Sequence, residues 1–213
     1  MIFSILHMNS TMNSTILGID PGTKEMGLAV LRGRELRYFG VRTLRNGTRP
    51  YDVIGQARRI VLAEIARHQP DVVAIEEPLM LPTKRAAVLS VIAQELRGRA
   101  EELGLEVVEL SPAAIRERVT GNPRATKIDV AEALVRGGFD QLRDLIPQRP
   151  KRAALGLRPK DKYWLHMFDA LALAVAATGF RKYPPTNATL VHPGAGGALD
   201  NERGSRRTED HSG

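Results

Sequence analysis

The chain has 213 residues, of which 43% are hydrophobic and 26% charged, and this length and balance predict one folded globular domain. It contains no cysteine, which excludes disulfide bonds, thiolate metal sites and cysteine nucleophiles. Thirty-one Lys and Arg residues against 24 Asp and Glu residues give a net charge of +7, which favours a polyanionic partner such as nucleic acid.

The two ends of the sequence differ from its centre. Residues 1–14 contain a short apolar run but lack the basic start and long hydrophobic stretch of a secretory signal. Residues 183–213 are rich in Gly, Pro and charge. We therefore expect a flexible leader over 1–14, one folded domain over 15–182 and a disordered tail over 183–213. We also expect a cytoplasmic protein without membrane association.

The first half of the domain predicts three strands followed by a helix. Residues 16–20 and 27–31 are apolar segments separated by a Pro-Gly turn, and residues 35–41 are rich in β-favouring side chains. Short turns join these segments, so the three strands should form an antiparallel meander. Residues 51–68 then place apolar side chains at helical spacing.

The second half alternates strands with helices. The pattern predicts strands over 71–75 and 105–110, and helices over 84–103, after Ser111, over 126–136 and over 163–178. Between the last two helices, residues 143–162 hold seven basic and two acidic residues and predict a basic loop. Three strands followed by alternating strands and helices predict an α/β fold. Its sheet should be mixed, antiparallel and then parallel, with helices on both faces.

Four polar side chains lie at predicted strand ends or on the last predicted helix. Asp20 ends the first strand and Glu76 ends the apolar run VVAI. His166 and Asp169 are three residues apart and therefore share a helix face. Each residue alone also fits a turn, a solvated strand end or a core histidine. Together they suit Mg²⁺, which prefers oxygen ligands and, as a pair of ions, supports phosphodiester hydrolysis.

Four separated segments resemble, in order, the motifs of the RuvC family of Holliday-junction resolvases: ILGIDPGTKEMGLAV, VVAIEEPLM, SPAAIRERVTGNPRATKIDVAEAL and HMFDALALAVA. The resemblance implies a ribonuclease H-like fold and an endonuclease that resolves four-way DNA junctions in recombination and repair. It implies that Asp20, Glu76, His166 and Asp169 are the catalytic, metal-binding residues. The implied cofactor is Mg²⁺, with Mn²⁺ able to substitute and two ions in each active site.

The resemblance also implies how DNA and partners bind. Arg116 and Lys127 stand where the family places basic residues near the scissile phosphate. Leu79 stands where the family often has an aromatic residue that interacts with junction bases, and an aliphatic wedge can still separate bases. The family is a homodimer, and whether a branch-migration helicase complex is also a partner stays open. Its interface uses the long helix after the glutamate, whose apolar stripe either forms that surface or covers the sheet: Ala87, Leu89, Val91, Ile92 and Leu96.

Several interpretations stay open at this stage. Tyr163 and Trp164 either stack on an unpaired base or pack at the start of the last helix. Arg118 and Arg124 are expected on a solvated helix face. Two functions compete with junction resolution: RNA processing by a nuclease similar to the YqgF proteins of the same superfamily, and non-catalytic nucleic-acid binding. An actin-like ATPase is disfavoured, because the chain has a single copy of the predicted fold and no second glycine-rich phosphate loop.

Overall fold

The computed structural model describes residues 14–45, 50–78, 82–148 and 159–178. Within these ranges the chain forms five strands, five α-helices and one short 3-10 helix. In chain order they are β1 (Thr15–Asp20), β2 (Glu25–Arg32), β3 (Glu35–Thr43), α1 (Pro50–His68), β4 (Val72–Glu76), α2 (Lys84–Glu102), β5 (Glu106–Leu110), α3 (Pro112–Thr120), α4 (Lys127–Arg136), the 3-10 helix (Asp140–Leu145) and α5 (Pro159–Ala177).

The five strands form one mixed sheet in the order β3-β2-β1-β4-β5. β1, β2 and β3 pair antiparallel, as expected for consecutive strands joined by short turns. β4 pairs parallel with both β1 and β5, and helices make the crossovers. The central position of β4 explains its continuous apolar run, because helices cover both of its faces. The predicted α/β fold with a mixed sheet is confirmed.

Helices cover both faces of the sheet. α1 and α2 pack on one face, in a core cluster that includes Leu17, Ile19 and Ile75. α3, α4 and α5 pack on the other face, in a cluster that includes Ile16 and Ala74. Consecutive side chains of a strand point to opposite faces, so the even-numbered side chains of β1 and β4 face α5.

Two glycines let α5 lie unusually close to the sheet. A Cβ atom at Gly18 would lie 2.1 Å from the carbonyl oxygen of Ala170, and one at Gly27 would lie 1.8 Å from that of His166. Any side chain at either position would push the helix away from the strands. The backbone of α5 therefore packs directly on β1 and β2, and this contact sets the position of its side chains relative to the strand ends.

Capping side chains begin the two short helices as the sequence predicts. The Ser111 hydroxyl accepts a hydrogen bond from the backbone N–H of Ala114 at the start of α3. Thr126 and Asp129 form a reciprocal capping box at the start of α4. These caps satisfy backbone donors that have no partner within the helix. They also fix where α4 begins, and the first residue of α4 is Lys127.

The start of the last helix differs from the prediction. α5 begins at Pro159 and not at Tyr163, and residues Asp140–Leu145 form a 3-10 helix, so the predicted basic loop over 143–162 is wrong at both ends. Proline is well tolerated in a first helical turn, because its missing N–H would have no partner there. Asp161 adds an acidic residue to that turn, which the helix dipole favours.

Some predictions fall outside the described residues. These are residues 1–13 of the predicted leader, the predicted tail over 183–213, Leu79 and the central part of the basic segment, 149–158. Among the residues that the structure does describe, no helix is long and apolar enough to cross a membrane.

Candidate active site

Carboxylates from β1, β4 and α5 meet at one edge of the sheet. β1 and β4 are parallel, and one residue beyond the Ile19–Ile75 pair they end in Asp20 and Glu76. Both carboxylates are on the face covered by α5, by the two-residue alternation of the strands. α5 carries Asp169 to the same place, since Glu76 and Asp169 line one cavity.

His166 joins α5 to the end of β1. Its Nδ1 atom lies 2.6 Å from Oδ2 of Asp20, whose side chain is almost fully buried. Its other ring nitrogen, Nε2, lies 3.6 Å from Oε2 of Glu25 at the start of β2. The hydrogen bond with Asp20 raises the pKa of His166, although burial opposes this effect. The ring is thus placed between two carboxylates, an environment that favours its protonated form.

The carboxylates carry more negative charge than their surroundings neutralise. Burial and the negative charges of Asp20 and Asp169 together raise the pKa of Glu76 to about 7, although Lys127 and Arg116 oppose them. Burial and the charge of Asp20 raise the pKa of Asp169 to about 6. These directions are those expected for acids that are close together in a low-dielectric environment.

Two cationic side chains reach the same cluster. The Nζ atom of Lys127, the first residue of α4, contacts Oδ2 of Asp169. Burial lowers the pKa of Lys127, but Asp169 and Asp20 outweigh this effect and the net direction is upward, so the ammonium stays charged. Arg116 and Lys127 line a cavity of about 30 Å³ together with Glu76 and Asp169, which is large enough for water.

Of the other basic and aromatic residues near these helices, Arg118, Tyr163 and Trp164 have structural partners. Arg118 is exposed, but its Nη1 donates a hydrogen bond to the carbonyl oxygen of Ala176, 2.9 Å away near the end of α5. Arg124 is exposed, as expected, but it lies in the turn between α3 and α4 and not on a helix face. Tyr163 donates a hydrogen bond from its hydroxyl to the carbonyl oxygen of Val41, 3.0 Å away, and its ring meets Trp164 edge to face. The two aromatics therefore pack at the start of α5.

Glu25 is the residue near this cluster that the sequence analysis missed. The signal for it was present in the alternation of β2, where Gly27, Ala29 and Leu31 face α5. Glu25 lies two residues before Gly27 and so points to the same face. Its position after the turn that follows Asp20 puts it beside the first carboxylate of the site.

The residues fit a hard divalent cation in their chemistry. Carboxylate oxygens are the ligands that Mg²⁺ prefers, and a cation would relieve the repulsion that raises the pKa of Glu76 and Asp169. In the described part of the chain, no three histidine or carboxylate side chains already surround one point as metal ligands. In this arrangement His166 hydrogen-bonds to Asp20 and Lys127 contacts Asp169. Metal binding would replace these contacts.

A mixed sheet in this strand order, with carboxylates at the ends of β1 and β4 and on the last helix, defines a ribonuclease H-like protein. The sequence model of the family described as crossover junction endodeoxyribonuclease RuvC matches residues 16–147, which is more than half of the chain. The chain belongs to this family.

Two relatives are similar to this chain over nearly their whole length. The RuvC protein of Aliivibrio salmonicida is 32% identical over 179 residues, which cover 79% of this chain and 97% of the relative. That of Rubrobacter xylanophilus is 35% identical over 202 residues, covering 82% of this chain and 96% of the relative. Among solved structures, Thermus thermophilus RuvC in complex with a Holliday junction substrate is 25% identical, with a TM-score of 0.57, and the similarity covers 76% of this chain and 92% of that chain.

Proposed function

We propose that this protein is a metal-dependent endonuclease that resolves four-way DNA junctions by paired phosphodiester hydrolysis. The observation that carries the proposal is the meeting of Asp20, Glu76 and Asp169 from three separate elements, with the pKa of Glu76 and Asp169 raised. Membership of the RuvC family and the junction-bound Thermus thermophilus relative support the choice of substrate. The net charge of +7 suits a DNA partner. We place this activity in the cytoplasm.

Asp20, Glu76 and Asp169 would hold Mg²⁺, or Mn²⁺ in its place, as two ions in each active site. Such ions polarise the phosphodiester and lower the pKa of attacking water. Of the protein's own groups, Lys127 and Arg116 are the cations next to Glu76 and Asp169, and they can bind and orient a phosphate at this cluster. Lys127 would exchange its contact with Asp169 for one with that phosphate.

His166 is either a further metal ligand or the group that holds a proton next to Asp20. Its Nδ1 faces Asp20, and its raised pKa allows it to carry a proton near neutral pH. In the second role, it would orient the attacking water. Because no protein nucleophile is needed, the absence of cysteine is consistent with this reaction.

We further propose a homodimer, because paired cleavage of a four-way junction needs two active sites. Ile92 and Leu96 of α2 are buried, whereas Ala87 and Val91 are exposed, Val91 with 46% of its surface accessible. A Cβ atom at Gly98 would meet nothing within 4 Å, which leaves room for a second helix.

Val91→Glu should therefore give a monomer in size-exclusion chromatography with light scattering. An unchanged dimer would show that the dimer interface does not include this face of α2.

The decisive experiment is cleavage of three labelled substrates, each with Mg²⁺ and with EDTA. These are a synthetic four-way junction, a linear duplex of the same sequence and a structured RNA. We expect metal-dependent paired nicks in the junction alone. Cutting of RNA or of every duplex would identify a different nuclease of the same superfamily. Binding of the junction without cutting would identify a binding module.

Asp20→Asn tests the assignment of the site within the same assay. The substitution keeps the size of the side chain but removes a negative charge and a metal ligand, so cleavage should be lost while junction binding in a mobility-shift assay remains. Asp144→Asn, an exposed position in the 3-10 helix, is the matched control and should cleave like the wild type. Full activity of Asp20→Asn would remove Asp20 from the site.

A further inference from the structure

Glu25 contacts the site but has no part in the proposed reaction. It begins β2, and the turn between β1 and β2 brings it back next to Asp20. That turn is tight, because a Cβ atom at Gly22 would lie 1.7 Å from the carbonyl oxygen of Glu25. The close packing of the turn fixes the backbone of Glu25 and leaves its carboxylate facing α5.

The two carboxylates of this hairpin flank one imidazole ring. Oδ2 of Asp20 lies 2.6 Å from Nδ1 of His166, and Oε2 of Glu25 lies 3.6 Å from Nε2 of the same ring. The side chain of His166 is 25% exposed and that of Glu25 is 35% exposed, so the second contact is partly shielded from water. Within the described residues, Glu25 is the ionic partner of the Nε2 side of this ring.

A histidine ring that is held at only one nitrogen can still adopt two orientations, related by a half-turn of the ring. The rotation about the bond from Cβ to the ring is broad and roughly two-fold, so the ring can turn over and present carbon atoms in place of Nδ1. A carboxylate on the outer nitrogen removes this freedom, and it also selects the tautomer when the inner nitrogen gives up its proton. Glu25 lies on the correct side of the ring for this role, at the distance of an ion pair with Nε2.

We propose that Glu25 is a positioning residue that holds His166 by its Nε2 atom, so that Nδ1 stays directed at Asp20 and at the space where a divalent cation would bind. The proposal rests on the proposed function for its catalytic consequence, but the hold on the ring exists in the metal-free protein. Carboxylates that support a metal-binding histidine in this way commonly affect metal affinity or activity by about 10–100-fold.

The first test measures the NMR signal of the His166 ring in the metal-free full-length chain. With ¹⁵N-labelled histidine, the Nε2–H signal of His166, assigned by its loss in His166→Gln, should be visible in the wild type at constant pH. It should be lost or shifted in Glu25→Ala through faster exchange with water. Glu35→Ala, at an exposed carboxylate paired with Arg37, is the matched control and should leave the signal unchanged. An unchanged His166 signal in Glu25→Ala would overturn the proposal.

The second test separates positioning from binding. Glu25→Ala should lower kcat for junction cleavage and weaken Mn²⁺ binding in calorimetry, each by about tenfold or more, with the KM for the junction unchanged. Wild-type kcat and Mn²⁺ affinity would overturn the proposal. If Glu25→Ala is poorly folded, Glu25→Met, which keeps the length of the side chain but has no oxygen to accept from Nε2, is used, and the same readings apply. A wild-type protein that cuts no junction would contradict the proposed function, while the histidine signal would still decide the role of Glu25.

Discussion

Replacing Glu76 with glutamine should stabilise the metal-free protein at neutral and alkaline pH. Burial, together with the negative charges of Asp20 and Asp169, raises the pKa of Glu76 from 4.5 to about 7. The ionised carboxylate is therefore less stable in the folded protein than in the unfolded chain. Glutamine keeps the size of the side chain and removes the charge.

The size and the sign of the effect follow from the two pKa values. The difference between 4.5 and about 7 corresponds to roughly 3 kcal/mol. Because the folded-state pKa is the higher one, the favourable contribution of the protonated acid is present below pH 4.5 and is lost as the pH rises through about 7. For a domain of this size, this free energy corresponds to a Tm at most about 6–12 °C above wild type at about pH 8. Any hydrogen bond that the buried amide of the variant cannot make would reduce this increase.

Thermal unfolding in EDTA, followed by circular dichroism from about pH 4.5 to 8, measures this effect. The difference in Tm between Glu76→Gln and wild type should be small at the acidic end and should grow toward the alkaline end. Glu77→Gln, at the exposed neighbouring residue, should follow the wild type throughout. Added Mg²⁺ should narrow the difference, because it binds the wild type more tightly. Parallel curves for Glu76→Gln and wild type would refute the reasoning.

Three further perturbations test the fold and the DNA contacts. Gly27→Ala should lower the free energy of unfolding in urea by about 1–3 kcal/mol, because the new Cβ atom would lie 1.8 Å from the His166 carbonyl oxygen. Gly55→Ala, where the new Cβ atom would lie 3.7 Å from Nη1 of Arg59, should not lower it, and equal losses would contradict the close approach of α5. Arg118→Ala should cost about 1 kcal/mol through its hydrogen bond near the end of α5, whereas Arg124→Ala should be neutral. Junction affinity without divalent metal should fall steeply as salt rises, and salt-independent binding would exclude binding dominated by phosphate contacts.

Most of the fold could be predicted because its signals are local. β1 and β4 are short apolar segments, and each ends in a carboxylate, so their limits are visible in the sequence. Ser111 and Thr126 are typical N-cap residues and indicate the start of the helices that follow them. The sequence pattern predicts the start of α5 four residues too late, because a basic, proline-containing stretch is also typical of a loop. A proline in the first helical turn satisfies both patterns.

The site could be predicted only in part. The strand ends located Asp20 and Glu76, and helical spacing paired His166 with Asp169. The contact between Asp20 and His166 joins residues 146 positions apart, and it depends on the close packing of α5 on Gly18 and Gly27. The contact of Lys127 with Asp169 and that of Glu25 with His166 likewise depend on tertiary structure, which residue spacing does not contain.

The division of the site between the two ends of the domain has a consequence for synthesis. A nascent chain that has been made as far as Leu145 already contains all five strands, with Asp20 and Glu76 in place. It lacks α5, and with it both His166 and Asp169. For a nuclease that uses these two residues as proposed, DNA cleavage would have to wait until this last helix has been made and has docked on the sheet. The order of translation would then keep an unfinished chain from cutting DNA.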